Sequence, residues 1–240
     1  MLDKFTLKLK KTDRVGVLTG AGVSAESGIQ TFRDADGLWE NHPVEQVATP
    51  QGFEADPVLV WRFYRERFKQ AATVEPNAGH YAFNEIEEYL GDNFLLVTQN
   101  VDGLHKRAGT ERVLEMHGTL NTAFCVRCRS VYPMADYAEG DSVPDCPACG
   151  GVVRPDIVWF GEMPYELDVI YNFFENIDYL LVCGTSGAVY PAADFLRMAK
   201  IRKATTIGIN LDKPHNVEFM DYFFQGKSGE MLPKLVTKWI

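Results

Sequence analysis

Two pairs of cysteines are the most chemically specific feature of the sequence. "CVRC" and "CPAC" place Cys125, Cys128, Cys146 and Cys149 in a C-x2-C pattern that repeats after 17 residues. Each tight knuckle can turn two thiolates toward one ion, as a tetrahedral four-sulfur zinc site requires. Such a site has no open coordination position, so its metal is expected to be structural. Two disulfides are the competing assignment. The N-terminal "MLDKFTLKLKKTDR" is charged throughout and lacks an apolar segment or a small-residue cleavage site, so export is not expected and disulfides are the weaker choice. The fifth cysteine, Cys183, lies in the apolar run "LLVC" and reads as a small buried hydrophobe.

A second group of residues suits a nucleotide. "LTGAGVSAESGI" (18–29) carries Gly20, Gly22 and Ala25 in G-x-G-x-x-A spacing after an apolar run. Glycines there permit a tight turn and close backbone approach to a pyrophosphate lying on the amino end of the next helix. A plain strand-to-helix turn uses the same glycines. A hydride-transfer enzyme would place an acidic residue at the end of a second strand about 20 residues on, but "TFRDADGLWENHP" (31–43) is no strand. Any nucleotide is therefore expected to be held differently. "TQNVDGLH" (98–105) puts Gln99, Asn100 and Asp102 just past an apolar run, and their donors and acceptors suit ribose hydroxyls and a carboxamide. An Asx-capped loop is the alternative. His117 in "LEMHGTL" is a proton acceptor suited to a hydroxyl that must become nucleophilic, or else a structural histidine.

The third feature is "VWRFYRERF" (60–68). Wound as a helix, it gathers Val60, Phe63, Tyr64 and Ala71 on one side and sends Arg62, Arg65, Glu66 and Lys69 the other way. Arg67 falls within the apolar stripe, one turn after Tyr64. It either snorkels, pairs with a structural carboxylate, or serves a site.

These residues need a frame. Apolar runs recur at 14–20, 94–100, 156–162, 179–186 and 205–210 with helical patterns between them, which predicts an α/β fold with a parallel sheet covered on both faces and a ligand at the carboxyl ends of its strands. A helix is predicted over 78–90, capped by Asn77 and stopped by Gly91. Residues 34–76, loop then helix, and 120–154, rich in Cys, Pro and Gly, interrupt the rhythm and are expected to form a smaller lobe.

The 240 residues suffice for a sizeable core, and 46% hydrophobic with 24% charged residues reads as a soluble globular chain. No run approaches the roughly 18 apolar residues of a membrane span, and a cytoplasmic location is the expectation. The net charge of −9, with basic residues scattered, argues against nucleic-acid binding. The acidic surface is compatible with basic protein segments but reads first as a solubility device.

Taken together, "GAGVSAESGI", "TFRDADGLW", "TQNVDGLH", "HG" at 117–118, both cysteine pairs, "WFGE", "CGTS" and "IGIN" resemble, in order and across nearly the whole chain, the sirtuin family of NAD-dependent protein lysine deacylases. The resemblance implies a Rossmann-like NAD-binding domain of residues 1–35, 77–119 and 155–240. With it go a helical module at 36–76 holding acyl-channel residues and a four-cysteine zinc module at 120–154. It implies NAD contacts by Gly20, Ala21, Gly22, Phe32, Arg33, Trp39, Gln99, Asn100, Asp102, Gly184, Thr185, Ser186, Asn210, Leu211, Asp212 and Ser228, one structural zinc ion, and His117, Asn100 and Asp102 as catalytic residues. Val158, Phe160 and Gly161 within "VWFG" would pair with the backbone of an acylated protein segment added as a strand. The family mechanism has the acyl oxygen attack the ribose carbon bearing nicotinamide. His117 then acts as general base toward the ribose hydroxyls, and the acyl group ends on ADP-ribose.

Tyr64 and Arg67 match the Tyr-x-x-Arg pair of the family's acidic-acyl branch, in which a carboxylate-ended succinyl or malonyl group meets a guanidinium fork and a phenol. A general deacetylase, a protein ADP-ribosyltransferase and a zinc-ribbon interaction module with a relic nucleotide site are the alternatives. The expected partner is an acylated lysine side chain, with no nucleic acid, no membrane and a monomeric state. One departure is Gln30, where the family commonly has Pro after "SGI", so this loop is expected to be less stiff.

Overall fold

Strand-forming runs of near-continuous apolar residues demand cover on both faces, and the chain supplies it. The computed structural model describes Leu2, residues 5–30, the backbone of Leu38 and Trp39, and residues 42–240. Chain order begins with β1 (Val15–Thr19), a short antiparallel pair β2 (Leu38–Trp39) and β3 (His42–Pro43), and helices α1 (Val44–Val47), α2 (Pro50–Ala55), α3 (Pro57–Thr73) and α4 (Ala78–Leu90). Next come β4 (Phe94–Thr98), α5 (Leu104–Arg107), β5 (Val113–Glu115), β6 (Gly118–Cys125), β7 (Val131–Pro133) and β8 (Val153–Ile157). The chain closes with α6 (Leu167–Phe174), β9 (Tyr179–Cys183), α7 (Ala192–Ile201), β10 (Thr205–Asn210), β11 (Tyr222–Gln225) and α8 (Ser228–Trp239).

Six strands form one parallel sheet in the order β11-β10-β9-β1-β4-β5. From β1 the chain winds one way to β4 and β5 and later the other way to β9, β10 and β11, so the topological switch point lies between β1 and β9. An open α/β sheet binds its ligand at that point. On one face Val15, Val17, Phe94, Leu96, Leu181 and Ile207 pack against Phe83 and Ile86 of α4 and Leu232, Leu235 and Trp239 of α8. On the other, Leu18, Val97, Leu180 and Val182 meet Ile170 and Phe174 of α6 and Phe195 and Leu196 of α7. Cys183 is fully buried in the first of these layers, as its apolar run suggests.

A separate antiparallel sheet, β7-β6-β8, carries the cysteines. It shares one apolar core with the helices of residues 44–73, joining Val47, Val60, Trp61, Phe63 and Tyr64 to Leu120, Ala123, Val153, Ile157 and Trp159. Trp61 Nε1 donates to Val153 O at 2.9 Å across this contact. Caps explain where its helices start. Thr49 accepts from Gly52 N ahead of Pro50, and Asp56 accepts from Leu59 N ahead of Pro57.

Helix α4 has the predicted bounds, with Asn77 as cap and Gly91 past its end. Two expectations are corrected. The run 156–162 does not join the parallel sheet, because its strand is β8 and pairs antiparallel with β6. The glycine turn leads not into an α-helix but into two single 3-10 turns, Ala21–Val23 and Ala25–Ser27. Short apolar stretches do not distinguish a parallel from an antiparallel neighbour, and three-residue turns lack the periodicity that marks a helix. Among the described residues no helix is long and apolar enough to cross a membrane.

Candidate active site

The carboxyl ends of β1 and β9 touch through glycine. Gly20 N donates to Cys183 O at 3.0 Å and Gly22 N to Gly184 O at 2.8 Å, while Gly184 N reaches Ile209 O at 3.0 Å. A Cβ on Gly22 would stand 2.8 Å from Gly184 Cα, and one on Gly184, whose φ is +64°, would stand 2.4 Å from Val23 N. Backbone meets backbone there, so main-chain groups rather than side chains occupy this switch point, as close approach of a pyrophosphate needs.

Around these strand ends the polar residues of 98–105 are bound into a network. Gln99 Nε2 donates to Thr185 Oγ1 at 3.1 Å, and Asn210 Nδ2 donates to Thr185 O at 3.1 Å, so three strand ends are tied together. Asn100 Nδ2 donates to Gly20 O and to Ser24 Oγ, each at 3.1 Å. Ser24 Oγ donates to Asp102 Oδ2 at 2.7 Å, and Leu104 N donates to Asp102 Oδ1 at 2.9 Å. Burial raises the Asp102 carboxyl above its ordinary range, against the opposing hydrogen bonds from Leu104 and Ser24.

Ser24 and His80 were not expected in this network. His80 Nδ1 accepts from Asn77 N at 3.2 Å, completing the cap of α4, and its Nε2 lies 3.4 Å from Ser24 Oγ. Acceptance at Nδ1 puts the proton of the neutral ring on Nε2, making it the donor to Ser24. Burial pulls His80 down to about 4, so it is neutral at pH 7. His105 Nε2 lies 2.9 Å from the buried Thr19 hydroxyl, which donates to Thr98 Oγ1 at 2.8 Å. These partners lie on different elements, so spacing along the chain carried no sign of them beyond Ser24's place in the glycine motif.

His117 follows β5 and sits beside Gln99. Its Nδ1 is 3.2 Å from Gln99 O, and its own carbonyl accepts from Val158 N at 2.9 Å. A carbonyl only accepts, so Nδ1 is the protonated nitrogen and Nε2 keeps its lone pair. Burial lowers the His117 pKa below 6.5, opposed by the Gln99 carbonyl. The ring is thus a neutral base at pH 7.

The strip after β8 is clamped. Phe160 N donates to Ala48 O at 2.9 Å and Trp159 N to Glu162 Oε2 at 2.8 Å. A strand added along 158–160 must therefore use acceptors of this strip. Phe160 is half exposed, and Gly161 has φ +91°.

On α3, Tyr64 is fully buried and accepts from Trp159 Nε1 at 3.0 Å. The Arg67 side chain is 16% exposed, with its guanidinium 5.3 Å from the Phe63 ring centre. The expectation for Arg65 is corrected. It is 6% exposed, and it donates to Tyr137 O at 2.7 Å and Ser142 O at 2.8 Å. A single apolar stripe assumes one neighbour, whereas α3 has the cysteine-bearing segment along a second side.

The four cysteines converge. Cys125 and Cys149 sulfurs lie 3.6 Å apart, as do those of Cys128 and Cys146, and all four fall within 4.8 Å of one another. A regular tetrahedron with Zn–S bonds of about 2.3 Å has edges of about 3.8 Å, so the set fits zinc. All are free thiols, which sets the disulfide alternative aside.

The remaining expected residues lie on several separate segments. Ser228 is buried at the start of α8, Ser186 and Asp212 are exposed, and Leu211 is 58% exposed. Ala21 begins the first 3-10 turn. Phe32 and Arg33 lie outside the described residues, as does the side chain of Trp39.

Comparison with known proteins gives a consistent picture. The Sir2 family model matches residues 20–191. The chain is 47% identical to the NAD-dependent protein deacylase of Pasteurella multocida, over 97% of this chain and 100% of the relative. It is also 47% identical to the protein of the same description from Escherichia coli K12, over 98% of this chain and 85% of the relative. The solved structure of a Sir2 homologue in complex with NAD superposes with a TM-score of 0.87 at 41% identity, covering 95% of this chain and 90% of that one.

Proposed function

This chain belongs to the Sir2 family and is an NAD-dependent protein deacylase, and on that premise we propose that it preferentially removes succinyl and malonyl groups from lysine side chains. The acyl group passes to ADP-ribose and nicotinamide is released. The placement of Arg67, a largely covered guanidinium one turn after Tyr64, carries the acyl preference, while His117 supports the deacylation chemistry as a neutral, half-buried base held by the Gln99 carbonyl and joined through its own carbonyl to the strip that would receive the substrate.

The glycine contacts between β1 and β9, with Ala21, Gly184, Thr185, Ser186, Asn210, Leu211, Asp212 and Ser228, would hold NAD, which supplies an electrophilic ribose carbon when bound. Phe32, Arg33 and Trp39 complete this set by family likeness. Asn100, its amide nitrogen fixed by Gly20 O and Ser24, presents its carbonyl oxygen as an acceptor. Asp102, tied to Ser24 and Leu104, would order the loop that receives the nicotinamide ribose. His117 Nε2 would take the proton of a ribose hydroxyl. A zinc ion held by Cys125, Cys128, Cys146 and Cys149 would brace the small sheet. On this reading the chain divides into a nucleotide-binding domain (1–35, 77–119, 155–240), a helical module (36–76) and a zinc module (120–154).

Acyl choice is assigned to Tyr64 and Arg67, consecutive turns of α3, with Val158, Phe160 and Gly161 along the peptide. A guanidinium binds a carboxylate by charge-assisted hydrogen bonds, which an acetyl group cannot use. The test is one peptide carrying acetyl, succinyl or malonyl lysine, with NAD, followed by nicotinamide release. Higher kcat/KM on the acidic acyl groups is expected, and Arg67→Met should lower the succinyl-to-acetyl ratio by about 10- to 100-fold. An unchanged ratio in Arg67→Met would instead make the chain a general deacetylase.

A further inference from the structure

The indole of Trp159 joins two parts of the chain that the proposed function uses separately, the substrate strip at 158–161 and the acyl-reading helix α3. Its Nε1 donates to Tyr64 Oη at 3.0 Å, with both side chains buried. We propose that Trp159 is a positioning residue for acyl specificity, which holds the Tyr64 phenol as a hydrogen-bond donor toward the acidic end of the acyl group. This rests on the acidic-acyl reading above.

The sign of the hydrogen bond is what matters. An indole nitrogen can only donate, whereas a phenol can do either. In this pair the phenol must therefore be the acceptor, and its own proton is directed to a different partner. Without the indole, the phenol could turn a lone pair toward an incoming carboxylate, which would repel it. With the indole in place the hydroxyl meets acceptors. Burial pushes the Tyr64 pKa up, so the proton is retained at any working pH.

Trp159 is held tightly enough to impose this. The Arg154 guanidinium carbon lies 3.4 Å from its ring centre, and Phe53 of α2 packs tilted at 5.2 Å. Its backbone N–H donates to Glu162 Oε2 at 2.8 Å. Glu162 is in turn gripped in two-point fashion by Arg154 at 2.7 and 2.9 Å, and Arg154 also donates to Ile157 O at 2.7 Å. Two-point guanidinium pairs fix orientation as well as distance. The ring is thus set by β8, α2 and the strip itself, and its N–H reaches into α3. A peptide docked on the strip and an acyl tail reaching Tyr64 are registered through one side chain.

The test is a double-mutant cycle on the succinyl-to-acetyl ratio of kcat/KM for one peptide. Trp159→Phe removes the N–H and Tyr64→Phe removes the hydroxyl. Trp159→Phe is expected to lower the ratio about tenfold, mainly through a higher KM for the succinyl peptide, and to have no further effect in the Tyr64→Phe background. A folding defect would depress both acyl substrates and leave the ratio alone. Replacing the indole by its benzothienyl analogue, which has the same shape and no N–H, repeats the measurement without a change of packing. A ratio unchanged by both replacements, or falling equally with and without the Tyr64 hydroxyl, overturns the inference. Arg67→Met separates the two levels. If it leaves the ratio unchanged, the acidic-acyl reading falls and this inference with it. If it lowers the ratio while the Trp159 variants do not, this inference falls alone.

Discussion

At the scale of single residues, His117 is a base because its neighbours settle its tautomer and its charge. Gln99 O accepts from Nδ1 and burial disfavours the imidazolium. The depressed pKa has a definite consequence for pH dependence. The basic form prevails at pH 7, and activity is lost only as pH falls through a value below 6.5. The acidic limb of the kcat/KM profile is therefore expected below the ordinary histidine position, and His117→Ala should reduce kcat/KM by about 100- to 10,000-fold and remove that limb. A profile with its limb at or above 6.5 would show that burial does not govern the ring. The histidine and its chemistry were legible in the sequence. Its link to Gln99 was not, because the two follow neighbouring strands and meet only when the segments after β4 and β5 align.

At the scale of elements, the glycine turn works by letting two strand ends approach. The sequence marked Gly20 and Gly22, but their partner is Gly184 at the end of β9, and the distances show that side chains there are excluded by backbone. Gly184→Ala combines a left-handed φ, worth roughly 1–2 kcal/mol for a residue with a Cβ, with a contact to Val23 N too close to relax cheaply. It is expected to raise the KM for NAD by about tenfold or more and to lower the melting temperature. Gly140→Ala is the control, at φ +96° with nothing within 4 Å of the added Cβ. Its cost should be confined to stability, with the KM for NAD unchanged, and equal KM values in the two variants would dismiss the strand-end argument. The bounds of α4 were legible because Asn77 and Gly91 are local signals. The pairing of 153–157 was not, because a strand's partner is chosen by what lies beside it after folding.

At the scale of the whole molecule, α3 binds the lobes together, and the charges that do so were the hardest to read. Arg65 ties α3 to the cysteine-bearing segment through Tyr137 O and Ser142 O. Arg107 of α5 reaches back to Ala71 O at 3.0 Å and Glu75 at 3.1 Å, anchoring the end of α3 to the nucleotide-binding side. Hydrogen bonds from charged donors are worth roughly 1.5–3 kcal/mol each, and truncation removes both of those made by Arg65. Arg65→Ala is expected to destabilise the protein by about 2–3 kcal/mol, read as thermal unfolding and as faster hydrogen exchange over residues 134–150. Arg62→Ala, on the exposed side, should stay within about 0.5 kcal/mol. Comparable losses in the two variants would mean that Arg65 acts only as one more surface charge.

The amino-acid sequence by itself determined the alternation of apolar strands with helices, the cysteine spacing that can hold zinc, the family motifs and the placing of Tyr64 and Arg67 one turn apart. Each of these is carried by residue type and by spacing along a few turns or strands. Tertiary structure alone decided which glycine faces which, that Ser24 and His80 brace Asp102, that Arg65 is buried and that Trp159 donates to the Tyr64 hydroxyl. Those facts depend on atoms brought together from distant positions, and a hydrogen bond acquires its direction only when donor and acceptor meet.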